Sequence, residues 1–230
     1  MSSYSSVYEN KSKLLWTFKW NIANKIFAPI RRTRLKNKDF TVICNNCFAA
    51  MAIYQRLGLR YNTPTVGLFF YAEDYIRFLE GFNEYVNEPL RFKKESRHLR
   101  TQDFFRKFHK YPIGVLGNDI EIHFNHYKNE EEAEEKWSRR IARINFENLF
   151  FVFSDRDEFQ PQYLRRFEIL PYENKIFFSC KPWPAAKSVV FVKDYECDSQ
   201  VGDAFRERVY EKYVDIVKWL NDGNIFQRKI

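Results

Sequence analysis

Five short runs built almost wholly from apolar, β-branched and aromatic residues set what this chain can fold into. They are FTVIC at Phe40–Cys44, VGLFFY at Val66–Tyr71, LFFVF at Leu149–Phe153, KIFFSC at Lys175–Cys180 and SVVFV at Ser188–Val192. A strand with one face in water alternates apolar and polar side chains, whereas these runs do not alternate, so each predicts a strand buried on both faces. Helical patterns lie between them. CFAAMAIYQRLGL follows the first run after Asn45-Asn46 and predicts a helix ending near Gly58, and Ala72 to Phe82 places Tyr75, Phe78, Leu79 and Phe82 on one inner side. Strands alternating with helices predict a three-layer α/β fold: a mostly parallel, Rossmann-like sheet with helices on both faces.

The remaining segments elaborate this frame. Glu88 to Lys110 is polar and basic, with a helix expected around TQDFFRKFH, and reads as an excursion from the sheet. YPIGVLGNDIEIHFNHY predicts an inserted hairpin turning at Gly117-Asn118. Its second strand places Ile120, Ile122, Phe124 and His126 on one face and Glu121, His123, Asn125 and Tyr127 on the other. Asn129 caps a helix that opens with Glu130, Glu131 and Glu132 and buries Trp137, Ile141 and Ile144. A long C-terminal helix is expected from about Asp203 to Leu220.

A chain of 230 residues suits one α/β domain over 1–230, with 1–38 forming a basic amphipathic N-terminal helix and tail. KSKLLWTFKWNIANKIF gathers Leu15, Phe18, Ile22 and Ile26 into one stripe beside Trp16 and Trp20, and Ala28-Pro29 is expected to end that helix. Packed on the core it is a structural helix; laid on an anionic bilayer, with RRTRLKNK behind it, it is a peripheral membrane contact. The net charge of +8 favours anionic partners, but no nucleic-acid module accompanies it, so specific nucleic-acid binding is not expected. The four cysteines Cys44, Cys47, Cys180 and Cys197 hold one CxxC and lack zinc-ribbon spacing. Neither a secretory signal nor a run of about 20 apolar residues occurs, which makes the cytoplasm the expected compartment. Glycine-rich phosphate loops, HExxH and GxSxG are absent as well.

Chemistry is therefore sought at the carboxyl ends of the strands, where parallel sheets bind ligands. Asn45 and Asn46 follow the first strand, as helix caps or as hydrogen-bonding partners of a sugar or phosphate. Asp155 and Asp157 flank Arg156 after LFFVF; such acids cap helices, or hold a divalent cation (Mg or Mn) on a nucleotide diphosphate while the arginine takes phosphate charge. Lys181 follows KIFFSC and is expected to position the same ligand. Glu121 and His123 share one strand face, so the carboxylate can orient the imidazole as a general base; a solvated strand histidine fits the same pattern.

VICNNCFAAMAIYQRLGLRYNTPTVGLFF, YPIGVLGNDIEIHFNHYKNEEEAEEKW, FSDRD, PYENKIFFSCKPW and the later QVGD together resemble a bacterial family of uncharacterised proteins, domain of unknown function 1919, often labelled exopolysaccharide biosynthesis protein. The likeness runs in order from Phe40 to Asp203. It implies an α/β protein associated with capsule or lipopolysaccharide assembly. The family pattern matches Asn45, Asn46 and Cys47, then Glu121, His123 and His126, then Asp155, Arg156 and Asp157. It departs at Ala49-Ala50, where a glycine pair is usual, and at Glu158, where a glycine often stands. Residues and resemblance together point to a transferase of surface polysaccharide synthesis using a nucleotide-sugar-type donor and a saccharide or lipid-linked acceptor. A non-catalytic membrane-peripheral or partner-binding accessory protein is the alternative, as is a phosphate or glycoside hydrolase.

Overall fold

Strands whose side chains are apolar on both faces are stable only between two helical layers, and the computed structural model is built that way. It describes residue 22 and residues 26–202 and 208–223. The strands are β1 (Thr41–Cys44), β2 (Arg91–Lys93), β3 (Ile113–Leu116), β4 (Ile120–His123), β5 (Leu149–Ser154), β6 (Lys175–Ser179) and β7 (Val189–Phe191). The helices are α1 (Ala49–Gln55), α2 (Ala72–Glu80), α3 (Phe82–Tyr85), α4 (Leu99–Lys107), α5 (Glu130–Ile141), α6 (Pro161–Ile169) and α7 (Ile216–Asp222), with α1 wound as a π-helix. β1, β5, β6 and β7 form a parallel sheet in that order, and β2, β3 and β4 a smaller antiparallel one.

Alternation along each parallel strand divides the core in two. Val42, Cys44, Phe150, Val152, Ile176 and Phe178 face a layer containing α1 and α7, where Ala49, Ile53 and Trp219 are buried. Ile43, Phe151, Phe153 and Phe177 face the opposite layer, packed by Tyr75 and Phe78 of α2, Trp137 of α5 and Phe167 of α6. The Tyr75 hydroxyl reaches the carbonyls of Ile43 (3.0 Å) and Val152 (2.9 Å), joining α2 to β1 and β5. α1, which follows β1, and α6, which follows β5, thus lie on opposite faces although their strands are neighbours. That divergence opens a crevice at the carboxyl ends of β1 and β5.

Several local expectations change. VGLFFY is buried but is not a strand of the parallel sheet; Phe69 makes an isolated antiparallel bridge with His123, and the Phe70 N–H donates to the Asn45 carbonyl at 2.9 Å. Both faces of β4 are buried, so Glu121 and His123 point into the protein and not toward solvent. The basic excursion contributes β2 as well as α4. Within residues 208–223 the expected long helix is broken into a 3₁₀ turn, Val209–Lys212, and α7, because the Asp215 side chain accepts from the Lys218 N–H and caps a new start. Most of the N-terminal amphipathic segment lies outside the described residues. Its described end stays helical through residue 33, past Pro29, and leaves Ile26, Phe27 and Ile30 at 58%, 47% and 62% exposure. The Asn129 cap is formed as expected, its side chain accepting from the Glu132 N–H at 3.0 Å.

Candidate functional site

Over the carboxyl ends of β1 and β5 lies a cleft of about 860 Å³. Asn46, Cys47 and Met51 form one wall, from the β1 turn and α1. Phe69, Tyr71 and Tyr111 supply aromatic surface, and α4 closes the far side with Arg100, Phe104 and Lys107. Asn125 and His126 enter after β4, and Arg156 and Asp157 after β5. The π-helical winding of α1 belongs to this wall; such winding inserts extra residues per turn and recurs at functional sites.

Neighbouring strands β1 and β5 bring their terminal residues together. The Asn45 and Asn46 amides both approach the Ser154 hydroxyl, at 3.5 and 3.3 Å. The Asn46 side-chain oxygen accepts from the Phe48 N–H at 3.0 Å, a local turn that starts α1. Asn46 therefore lines the cleft while Asn45 is fully buried behind it.

The two aspartates after β5 take different parts. Asp155 Oδ2 accepts from the Cys180 N–H (2.6 Å) and the Ser179 hydroxyl (3.1 Å), and Oδ1 from the Val201 N–H (2.7 Å). Both of its oxygens accept from protein donors, so Asp155 ties the ends of β5 and β6 to the Val201 segment. Asp157 lies on the cleft, where Arg100 approaches its Oδ1 at 3.4 Å, and its carbonyl accepts from the first N–H of α2, that of Ala72, at 2.9 Å. Asp157 and Glu158 have φ of +57° and +64°. Left-handed backbone costs a side-chain-bearing residue roughly 1–2 kcal/mol, and consecutive residues in it are a strained turn of the kind that functional sites retain. A glycine at position 158 would be free of that strain. Glu158→Gly should be about 1 kcal/mol more stable than Glu158→Ala in urea denaturation, since both lose the carboxylate and only alanine keeps the strain; equal midpoints would deny the strain.

Beneath the aromatic floor lies a second polar group. Glu121 Oε1 accepts from Lys93 Nζ and from the Arg97 N–H (2.8 Å), and Oε2 from the Ser96 hydroxyl (2.6 Å). Burial opposes its charge, but Lys93, Ser96 and the Arg97 N–H outweigh it and hold the carboxyl far below the usual range. His123 Nε2 stands 3.5 Å from Glu121 Oε2, within ion-pair range but without hydrogen-bond alignment, and Nδ1 is 3.4 Å from the Tyr111 hydroxyl. Burial pushes the imidazole below its ordinary value despite the carboxylate, so it is neutral at pH 7. His98 stacks on Tyr71 at 3.7 Å, with Nε2 2.8 Å from Asp74 and Nδ1 3.3 Å from Glu158. His98 and Asp74 carried no sequence signal of chemistry, although Asp74, four residues before Phe78, stands on the inner side of α2 where a carboxylate is unusual. His123 is covered by Phe69 and Tyr111, so as a base it would act from below the cleft.

The other expected groups are elsewhere or inert. Lys181 is exposed and donates to the Glu196 carbonyl, away from the cleft. Burial pushes the Cys44 thiol up to about 12 and, with Asp155 beside it, the Cys180 thiol up to about 11, so neither is a thiolate at neutral pH. Among the described residues no helix is long and apolar enough to cross a membrane.

Comparison with known proteins adds kinship. An uncharacterized protein of Haemophilus influenzae is 36% identical over 194 residues, covering 82% of this chain and 87% of that protein. The family model described as domain of unknown function (DUF1919) matches residues 19–221. The motifs around the β1 turn, β4 and the β5 turn all lie inside that span, and the chain belongs to the DUF1919 family.

Proposed function

We propose that this protein is a transferase of surface (exo- or capsular) polysaccharide biosynthesis, working in the cytoplasm, whose cleft takes an activated sugar donor of the nucleotide-sugar type. The observation that carries this reading is the cleft at the carboxyl ends of β1 and β5, which Arg100, Lys107, Arg156 and Asp157 line together with aromatic walls. Cationic side chains suit a diphosphate, and aromatic faces suit a base or a sugar ring. Asp157, with the donor's own phosphates, suits one Mg²⁺ or Mn²⁺, an ion that binds through one or two carboxylates plus phosphate oxygens. Asn46 offers an amide to sugar hydroxyls, and His126 faces the cleft where an acceptor hydroxyl would arrive.

Calorimetry of the whole chain with a panel of nucleotide sugars and Mn²⁺ tests this. Binding should weaken by about tenfold or more in Arg156→Ala and in Asp157→Ala, since a charge-assisted hydrogen bond contributes roughly 1.5–3 kcal/mol. No heat from any donor, or affinity indifferent to both changes, would reject the reading.

A second reading rests on the exposed Ile26, Phe27 and Ile30 on the helical residues 26–33, with Arg32 and Arg34 alongside. Those residues suit a peripheral contact with an anionic bilayer, as an accessory protein of polysaccharide assembly would make. Flotation with anionic liposomes, compared with Ile26→Ser/Ile30→Ser, separates the two: an accessory protein loses binding and function together, whereas a cleft enzyme keeps donor affinity.

A further inference from the structure

We propose that His98, Glu121 and His123 form a binding site for a divalent first-row transition ion of the zinc, iron(II) or manganese(II) kind. One nitrogen from each imidazole and one oxygen of Glu121 lie within 4.8 Å of one another, and all three residues are buried. Ligand atoms of a zinc-like ion with bonds near 2.1 Å sit roughly 3.4 Å apart, so small side-chain rotations close the group around an ion. Two imidazoles with one carboxylate are a donor set such ions favour.

The orphaned atom is the strongest sign. His123 Nε2 is buried without a hydrogen-bond partner, and it faces Glu121 Oε2. A buried imidazole nitrogen left unmet is unfavourable, whereas as a ligand its lone pair is used. The surrounding contacts orient the donors. His123 Nδ1 is held by Tyr111, and whichever His98 nitrogen turns to the ion, the other has a carboxylate, Asp74 or Glu158. Metal-binding histidines characteristically engage their second nitrogen in this way. On Glu121, Lys93 and the Arg97 N–H hold Oε1, while Oε2 meets Ser96 and keeps a lone pair toward His123.

Charge agrees with the geometry. Asp74, Glu121 and Glu158 supply three negative charges against the two of Lys93 and Arg97, an excess of one that attracts a cation. The ion would tie β4 to the start of α4 beneath Phe69 and Tyr71, which stack on His123 and His98. This inference does not depend on what the cleft above it binds.

The full chain, stripped with a chelator and re-equilibrated with micromolar Zn²⁺ or Mn²⁺, should retain one ion per chain by elemental analysis. X-ray absorption of the loaded wild-type protein should show two imidazoles and no sulfur around it. Affinity should fall at least about tenfold in His98→Gln and in His123→Gln. Failure to retain either ion would overturn the proposal. A shell containing sulfur from Cys44 or Cys47, or affinity unchanged in both variants, would overturn it too; the wild-type spectrum stands even if a variant fails to fold.

Discussion

Asp155→Ala is expected to lower the stability of this protein by about 4 kcal/mol, although the residue sits in the acidic triplet that invites a catalytic reading. Removing its carboxylate leaves the Cys180 and Val201 N–H groups and the Ser179 hydroxyl without an acceptor in a buried place. Each such orphan costs about 1–3 kcal/mol, and entering water recovers part of the sum. For a chain of this size, the change corresponds to a fall in melting temperature of roughly 8–16 °C. Asp157→Ala should cost clearly less, because its carboxylate lines the cleft, where water can take its place beside the largely exposed Arg100. Melting curves of the two variants decide the matter, and coincident curves would deny Asp155 its structural part.

Glu121→Gln should produce a comparable loss, about 3 kcal/mol, with a distinctive dependence on acidity. The amide leaves Lys93 without its counter-charge and turns a donor toward the Arg97 N–H or the Ser96 hydroxyl. In the wild-type chain the folded carboxyl lies far below its ordinary value of 4.5. The stabilisation is therefore fully present above about pH 4.5 and is lost progressively as the pH falls toward the folded value. Wild type and Glu121→Gln should accordingly differ most near neutrality and converge in acid. Urea midpoints from pH 7 to pH 3 would show this, and a gap independent of pH would assign the loss to packing.

Legibility of the sequence followed what each pattern measures. LFFVF, KIFFSC and SVVFV read correctly as β5, β6 and β7 because a strand buried on both faces needs no alternation. VGLFFY met the same criterion and still formed no ladder: apolarity reports burial, and its amide groups found partners in Asn45 and His123. The C-terminal helix had the right residues, but Asp215 started a fresh turn within it. At the site, Asn46, Arg156 and Asp157 were legible as strand-end polar groups and do line one cleft. Asp155 and Asp157 could not be told apart from their spacing. Only the fold distinguishes them: Asp155 is held by the Cys180, Ser179 and Val201 donors, and Asp157 lines the cleft. His98 lay in a polar, aperiodic stretch, and only packing against Tyr71 brings it to Glu121 and His123.

The π-wound α1 has an evolutionary corollary. A helix carrying surplus residues per turn can shed one and relax to ordinary α pitch while its ends stay anchored, at the Asn46 turn and at Leu57 in the core. Each such deletion would rotate a new set of side chains into the opening without touching the sheet. The surface that α1 offers to the opening would then be altered more by a change of length there than by a single substitution.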